Sequence, residues 1–184
     1  MKKKAWVSLV AVVLVLCCAI GGTLAWLTDK TDPVVNTFTV GDINIELTES
    51  ENLDLKMVPG NTITKDPKVT VQAGSEKCWL FVKVEKSANY GDFLEDYKMA
   101  TDWTALTGEK GVYYQIVNAS TANQVFEVLL NNQVAVKGAV TKAQMEDIKN
   151  NTIAAPTLTF TAYAVQFDNV ATAADAWAKA NAKP

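Results

Sequence analysis

The stretch that decides the fold is Lys77-Cys78-Trp79-Leu80-Phe81-Val82-Lys83-Val84-Glu85. Successive side chains of an extended strand point to opposite faces, so the apolar side chains at 78, 80, 82 and 84 share one face. We therefore predict a long strand over residues 77–86. Cys78 lies on that apolar face and is interpreted as a buried small hydrophobe, with an intermolecular disulfide or a reactive thiol as the alternatives.

The same alternation recurs along the chain and predicts further strands. They are expected at residues 36–40, 43–47, 112–117, 125–130, 134–137 and 157–167, where β-branched and aromatic residues are frequent. Asn131-Asn132 lies between two of these segments and is predicted to form a hairpin turn. Many short strands separated by turn signals indicate an antiparallel β-sandwich or a barrel-like domain.

Two short helices are expected to interrupt the strands. Thr141-Lys142-Ala143-Gln144 matches a capping box, and Val140 and Met145 are placed to form a hydrophobic staple across it. Thr172-Ala173-Ala174-Asp175 begins the second helix, in which Trp177 is the one large apolar anchor. The fold class predicted from these patterns is mainly β with two short helices.

The composition excludes several classes of function. The 184-residue chain has no histidine, and all 17 of its basic residues are lysines. A Ser-His-Asp triad, a Cys-His pair and an H-E-x-x-H zinc site are therefore impossible. The net charge of −3 also argues against nucleic acid as a partner, because binding to a phosphate backbone needs a basic patch.

The N-terminus has the layout of a secretory signal peptide. Three lysines at positions 2–4 precede an apolar run, and small residues follow at 21–25. We predict a signal peptide over residues 1–25, cleaved between Ala25 and Trp26. An uncleaved membrane anchor is one alternative, since residues 5–27 are uncharged and long enough to span a bilayer. A lipoprotein modified at Cys17 or Cys18 is the other.

Removal of the signal peptide changes the net charge of the chain and its number of cysteines. Three lysines and no acids leave with it, so 14 lysines and 20 acids remain and the net charge becomes −6. Two of the three cysteines leave as well, so Cys78 has no partner for an internal disulfide. We divide the rest into an N-terminal segment, residues 26–36, and one β-sandwich domain, residues 37–184.

Carboxylates are the remaining candidates for acid–base chemistry or for binding of calcium. Asp92, Glu95 and Asp96 cluster near Tyr90, but no D-x-[DN]-x-[DN]-G calcium loop is present. A glycosidase would need two carboxylates held about 5–9.5 Å apart across a cleft, which spacing in sequence does not establish. We interpret the cluster as a solvated loop and predict no catalytic residue, no metal site and no cofactor.

Several motifs, taken in order, carry a family resemblance. They are Gly21-Gly22-Thr23-Leu24-Ala25-Trp26-Leu27-Thr28-Asp29, Asn36-Thr37-Phe38-Thr39-Val40-Gly41-Asp42-Ile43, Val58-Pro59-Gly60-Asn61-Thr62-Ile63-Thr64-Lys65-Asp66 and Asn89-Tyr90-Gly91-Asp92-Phe93. This order resembles TasA/camelysin-type secreted proteins of Gram-positive bacteria, whose signal peptides are processed by a SipW-type signal peptidase. The resemblance covers roughly the first half of the chain, and beyond Asp102 only the strand pattern matches.

The resemblance implies a jelly-roll-like β-sandwich that is secreted to the cell surface or the extracellular matrix. It also implies self-assembly into biofilm-matrix fibres, in which the N-terminal segment of one subunit adds as a strand to the next. The expected partners are copies of the same chain, the signal peptidase, and other matrix or cell-wall components. The membrane is expected as a partner only through an uncleaved signal peptide.

The donor segment carried over from the resemblance is residues 26–36. Its apolar residues Trp26, Leu27, Val34 and Val35 suit a strand that pairs with an exposed sheet edge in another molecule. Pro33 weakens such a strand locally, because proline has no N–H to donate. A flexible leader, or a strand that pairs within its own domain, is the alternative.

Two other classes of function remain as rivals to a fibre subunit. A monomeric cell-surface adhesin or ligand-binding module would stay monomeric and bind a ligand in a loop cleft. Camelysin-type relatives have also been described as metalloproteases, but the absence of histidine removes the usual zinc chemistry. We therefore predict that the protein is not an enzyme.

Overall fold

The computed structural model describes residues 41–50 and 56–182. All of them belong to the second of two compact units, Val40–Pro184. The strands are β1 (Ile45–Thr48), β2 (Thr62–Thr64), β3 (Lys68–Val71), β4 (Cys78–Lys86), β5 (Thr104–Ala105), β6 (Val112–Val117), β7 (Gln124–Glu127), β8 (Gln133–Ala135) and β9 (Leu158–Gln166). The helices are α1 (Tyr90–Phe93), α2 (Lys142–Lys149) and α3 (Ala173–Ala180), and a 3-10 turn spans Leu130–Asn132. None of the described helices is long and apolar enough to cross a bilayer.

The described strands form three antiparallel sheets. The main sheet has the order β5-β6-β4-β9, the second sheet has the order β1-β3-β7, and β2 pairs with β8. The predicted class, mainly β and antiparallel, is confirmed, although three helices rather than two are present. The jelly-roll connectivity stays a prediction.

β4 is the central strand, and both of its faces are buried. Cys78, Leu80 and Val82 are fully buried in the core between the main and second sheets, as the alternation predicts. Trp79 and Phe81 point the other way and are buried in a separate cluster. The sequence pattern identified one apolar face, whereas the structure covers both, because α3 packs over the outer face of the main sheet.

α3 is held in place by its cap and by one large side chain. The Thr172 hydroxyl accepts a hydrogen bond from the Asp175 N–H, which satisfies one of the free donors of the first turn. Trp177 is buried, with its ring 5.5 Å from that of Phe81 and 5.2 Å from that of Tyr163. Both the predicted start of this helix and its tryptophan anchor are confirmed.

α2 closes a third apolar cluster, which also includes the β2–β8 pair and α1. The predicted capping box is present, since the Thr141 side chain accepts from the Gln144 N–H and the Gln144 side chain accepts from the Thr141 N–H. Val140 and Met145, the predicted staple residues, both belong to this cluster.

The predicted hairpin at Asn131-Asn132 is wrong, although the turn itself is present. Both asparagines have positive φ, 57° and 52°, as a tight reversal requires. The strands on either side do not pair with each other, because β7 pairs with β3 and β8 pairs with β2. The turn therefore passes the chain from one sheet to another.

Candidate functional site

The predicted site residues lie outside the part of the chain that the structure describes. This holds for the cleavage site, Ala25 and Trp26, and for the donor-strand residues Leu27, Val34 and Val35. The signal peptide and the donor segment therefore stay predictions. The described residues begin at Gly41, shortly after the predicted donor segment, and they include an edge strand that could accept a donor.

One edge of the main sheet is such a surface. β9 pairs with β4 over its whole length, from Cys78 opposite Gln166 to Lys86 opposite Leu158. Within residues 41–50 and 56–182, no strand pairs with the other side of β9. An edge of this kind presents unpaired N–H and C=O groups to its surroundings.

The hydrogen bonds just beyond the two ends of β9 determine which residues face outward. The Phe167 N–H donates to the Lys77 carbonyl at 3.0 Å, and the Ser87 N–H donates to the Thr157 carbonyl at 3.0 Å. In an antiparallel ladder every second residue makes such bonds, so the odd-numbered residues of β9 bond to β4. The even-numbered residues, 158 to 166, direct their N–H and C=O groups away from the sheet.

The sequence of β9 has none of the features that usually protect an edge strand. Short length, charged side chains, proline and bulges are the common devices. β9 is nine residues long, and its sequence LTFTAYAVQ has no charged residue, proline or glycine. The side chains of four even-numbered residues pack against the core and hold the strand in place: Leu158, Phe160, Ala162 and Ala164. The backbone N–H and C=O groups of the same residues point away from the sheet.

An apolar groove adjoins the start of β9. Its volume is about 350 Å³, and it lies between the β2–β8 pair and the segment that leads into β9. Lys65 is at the groove and its ammonium lies 5.7 Å from the centre of the Phe160 ring. The apolar and aromatic side chains that line the groove are those of Met57, Ile63, Tyr90, Leu94, Val134, Ala155, Pro156 and Leu158.

The carboxylate cluster singled out in the sequence does not form a metal site. Asp92, Glu95 and Asp96 are all exposed. Asp96 accepts a hydrogen bond from Lys86 at 2.7 Å, and this bond lowers the pKa of its carboxyl group. Across the described ranges, no three His, Cys, Asp or Glu side chains come together in a group that could hold a metal ion.

Cys78 is a buried small hydrophobe, as the alternation indicated. It is fully buried in the core, and burial raises the pKa of its thiol to about 11. The thiolate is the reactive form of cysteine, so a thiol with a raised pKa in an apolar site is inert. The structure therefore favours a packing role over an intermolecular disulfide.

The main feature of the site, the open edge of β9, was not found from the sequence. The strand itself was predicted at residues 157–167, but its place at the edge of the sheet was not. The sequence carried no signal for that place, because edge strands usually have charged residues or proline and β9 has neither. The groove has no sequence signal either, since its lining comes from five separate segments of the chain.

A comparison with protein families finds one match. The model described as "Camelysin metallo-endopeptidase" matches residues 1–98. No curated protein and no solved structure matches the chain.

The description of that family implies a catalytic metal, and the residues present do not fit one. Zinc endopeptidases bind their metal through histidine, which this sequence lacks. The one cysteine in the described ranges is buried in the core, and no three carboxylates there come together in a group that could hold a metal ion. No catalytic step through a metal can be derived from these residues.

The match bears out the resemblance that the ordered motifs indicated. It spans the motifs at residues 21–29, 36–43, 58–66 and 89–93. Because the matched region covers more than half of the 184-residue chain, the protein belongs to the camelysin metallo-endopeptidase family, which includes TasA.

Proposed function

We propose that this protein is a secreted, non-enzymatic subunit that self-assembles into cell-surface or biofilm-matrix fibres by donor-strand addition. The observation that carries the proposal is the unprotected nine-residue edge of β9. Membership of the family that includes TasA supports a secreted or cell-surface protein in general. In the proposed fibre, residues 26–36 of one subunit pair with β9 of the next.

The edge of β9 and the donor segment suit each other chemically. Five residues of β9 direct an N–H and a C=O outward, and main-chain hydrogen bonds of this kind give affinity in strand addition. The groove beside Leu158 offers a place for a large apolar side chain at one end of the added strand. Trp26 and Leu27 at one end of the donor, and Val34 and Val35 at the other, supply such side chains.

Processing would control assembly in this scheme. The segment becomes a free N-terminus only after cleavage between Ala25 and Trp26, so uncleaved chains can accept a strand but cannot donate one. Assembly should therefore begin only after the signal peptide has been removed. Growth should also be linear, because each subunit would supply one donor segment and, within the described residues, β9 is the long edge strand without a second partner.

The test uses the processed chain, residues 26–184, examined by size-exclusion chromatography over a range of concentrations and by electron microscopy. The Ala162→Pro variant removes one outward N–H from β9 without touching the bonds to β4, and it should abolish fibres. Ala162→Gly is the matched control, because it keeps the N–H and should still assemble. Deletion of residues 26–35 should also abolish fibres.

Two outcomes would overturn the proposal. Fibres that persist after deletion of residues 26–35 would exclude that segment as the donor. A processed chain that stays monomeric at every concentration would instead favour the second function, a monomeric surface adhesin or ligand-binding module.

A further inference from the structure

The inward side chains of β1 and β9 form an apolar strip along one flank of the domain. The two strands are edges of the second and main sheets and lie opposite each other across the core. Leu47 pairs with the buried Val69 and so points toward the core, yet it is 37% exposed. Ile43, Ile45 and the even-numbered side chains of β9 from 158 to 164 are likewise only partly buried. The described residues therefore leave this strip partly open.

The direction of a strand that adds to β9 determines which of its faces the strip covers. The free N–H and C=O groups of β9 belong to its even-numbered residues, whose side chains face the strip. In an antiparallel pair, bonding residues lie directly opposite each other, so the bonding residues of both strands share a face. In a parallel pair, a residue bonds to the two neighbours of the residue opposite it, so the bonding residues of the two strands lie on opposite faces.

Pro33 limits how the predicted donor segment can pair with β9. Proline has no N–H, so it can only take a position whose N–H would point away from β9. The odd-numbered residues of the donor are therefore the ones that do not bond to β9. It follows that an antiparallel addition would turn the even-numbered donor side chains toward the strip, and a parallel addition the odd-numbered ones.

The odd-numbered face of the donor suits an apolar strip better than the even-numbered face. The odd-numbered face has one charge and consists of Leu27, Asp29, Thr31, Pro33 and Val35. The even-numbered face has two charges in its middle and consists of Trp26, Thr28, Lys30, Asp32, Val34 and Asn36. Because a charge that loses its water without a partner is costly to bury, the donor's chemistry favours parallel addition.

Only one parallel register within residues 26–36 covers all of β9. Residues 27–35 then lie beside residues 158–166, nine residues on nine. Leu27 falls opposite Leu158, which also lines the apolar groove. Both antiparallel registers of the same overlap would instead turn Lys30 toward the strip, opposite Ala162 or Ala164.

The single charge on the odd-numbered face meets a lysine in this register. Asp29 falls opposite Phe160, and the ammonium of Lys65 lies 5.7 Å from the centre of that ring. Lys65 already bonds to Glu49 at 2.7 Å, but an ammonium has three donors and can bond to a second carboxylate. The parallel register therefore leaves no donor charge in the strip without a partner of opposite sign.

We propose that residues 27–35 of one subunit add parallel to β9 of a second copy of this chain, with the odd-numbered side chains in the strip between β1 and β9. The inference rests on the proposed donor-strand assembly and adds its direction, its register and its buried face. The even-numbered side chains of the donor, with Lys30 and Asp32 at their centre, then lie on the outer face of the main sheet.

The first test is cross-linking of fibres of the processed chain, residues 26–184, with the short thiol reagent bismaleimidoethane. Thr159 and Gln166 are both exposed and lie about 23 Å apart along β9. The Thr28→Cys/Thr159→Cys variant should give a ladder of linked subunits on a denaturing gel. Thr28→Cys/Gln166→Cys, the matched variant for the opposite direction, should give none. Thr28→Cys alone can link no more than two chains and is the control for random linking.

The second test compares two threonines on opposite faces of the donor. Thr31→Asp places a short charged side chain in the strip opposite Ala162, so it should raise the lowest concentration that gives fibres at least about tenfold. Thr28→Asp makes the same change on the outer face and should raise that concentration far less. Electron microscopy over a dilution series of both variants measures the difference.

The outcomes separate this inference from the proposed function. Fibres that are linked through position 166, or that are weakened more by Thr28→Asp than by Thr31→Asp, would overturn the parallel direction and leave donor-strand addition standing. Fibres that neither cysteine pair links would show that the donor does not pair with β9, which overturns both. A processed chain that forms no fibres also overturns both.

Discussion

The two edges of the main sheet differ in length and in the number of backbone groups that they leave unpaired. β5 forms one edge, is two residues long, and leaves only residues 115–117 of β6 extending past it. β9 forms the other edge and is nine residues long. A short edge offers too few backbone groups for stable pairing, whereas a long uncharged one offers a full strand. Among the described strands of the main sheet, β9 is therefore the long edge that the proposed donor-strand addition would use.

Both edge strands of the second sheet have features that discourage pairing with another molecule. Its edge strands β1 and β7 have four residues each, and each carries a glutamate, Glu46 or Glu127. Charges on a short strand discourage pairing with another molecule. The contrast with β9 indicates that the open edge is a specific feature of the main sheet.

The largest expected effect is a loss of stability when α3 loses its anchor on the outer face of the main sheet. Trp177→Ala removes the anchor of α3 from the outer face and should lower the free energy of unfolding by about 3–5 kcal/mol. Urea denaturation followed by circular dichroism measures this loss. The control is Val125→Ala, at a side chain that is 58% exposed, where the change should be within about 0.5 kcal/mol. Equal losses in the two variants would contradict the packing of α3.

A smaller effect tests which residues of β9 direct their backbone N–H toward β4 and which direct it away from the sheet. Thr161→Pro removes an N–H that bonds to β4, whereas Ala162→Pro removes one that points away. The first should therefore lower the free energy of unfolding by about 1–3 kcal/mol more than the second, because a carbonyl of β4 loses its partner. The measurement is again urea denaturation of both variants. Equal destabilisation would show that the outward groups are not free.

The smallest expected effect concerns the protected edge at β1. Just beyond β1, Ser50 donates to the buried Asp66 carboxylate from its N–H at 3.1 Å and from its hydroxyl at 2.5 Å. The hydroxyl bond is the main cause that lowers the pKa of Asp66. This contribution to stability is complete above the unfolded pKa of about 4 and is lost as the pH falls through the lower folded value.

The Ser50→Ala variant should therefore be less stable than the unmodified chain at pH 7, and the difference should shrink as the pH falls below about 4. Urea midpoints measured between pH 7 and pH 2.5 give the comparison. A difference that does not change with pH would mean that Asp66 does not titrate through this contact. A difference that grows with acid would contradict the direction of its pKa shift.

Much of the local structure could be predicted from the sequence. The bounds of β4, β6 and β9 agree with the predicted strands to within a residue at each end, because strict alternation depends only on neighbouring residues. The capping box of α2 and the start of α3 were predicted for the same reason. The hairpin at Asn131-Asn132 failed because a turn motif does not specify which strands pair.

The candidate site was less predictable than the elements that form it. The donor residues came from the family resemblance, and their role stays a prediction. The accepting edge depends on segments far apart in the chain, since β4 and β9 pair across more than seventy positions. Spacing along the sequence carries no information about such contacts.

The sequence by itself determined the class of the domain, the family, and the absence of histidine chemistry, because these depend on composition, local alternation and ordered motifs. Only the tertiary structure decided that β4 is buried on both faces and that β9 lies at the edge of the main sheet among the described strands. The physical reason is that alternation assigns a side chain to a face of its strand. The neighbours of that strand are selected by the packing of the whole chain.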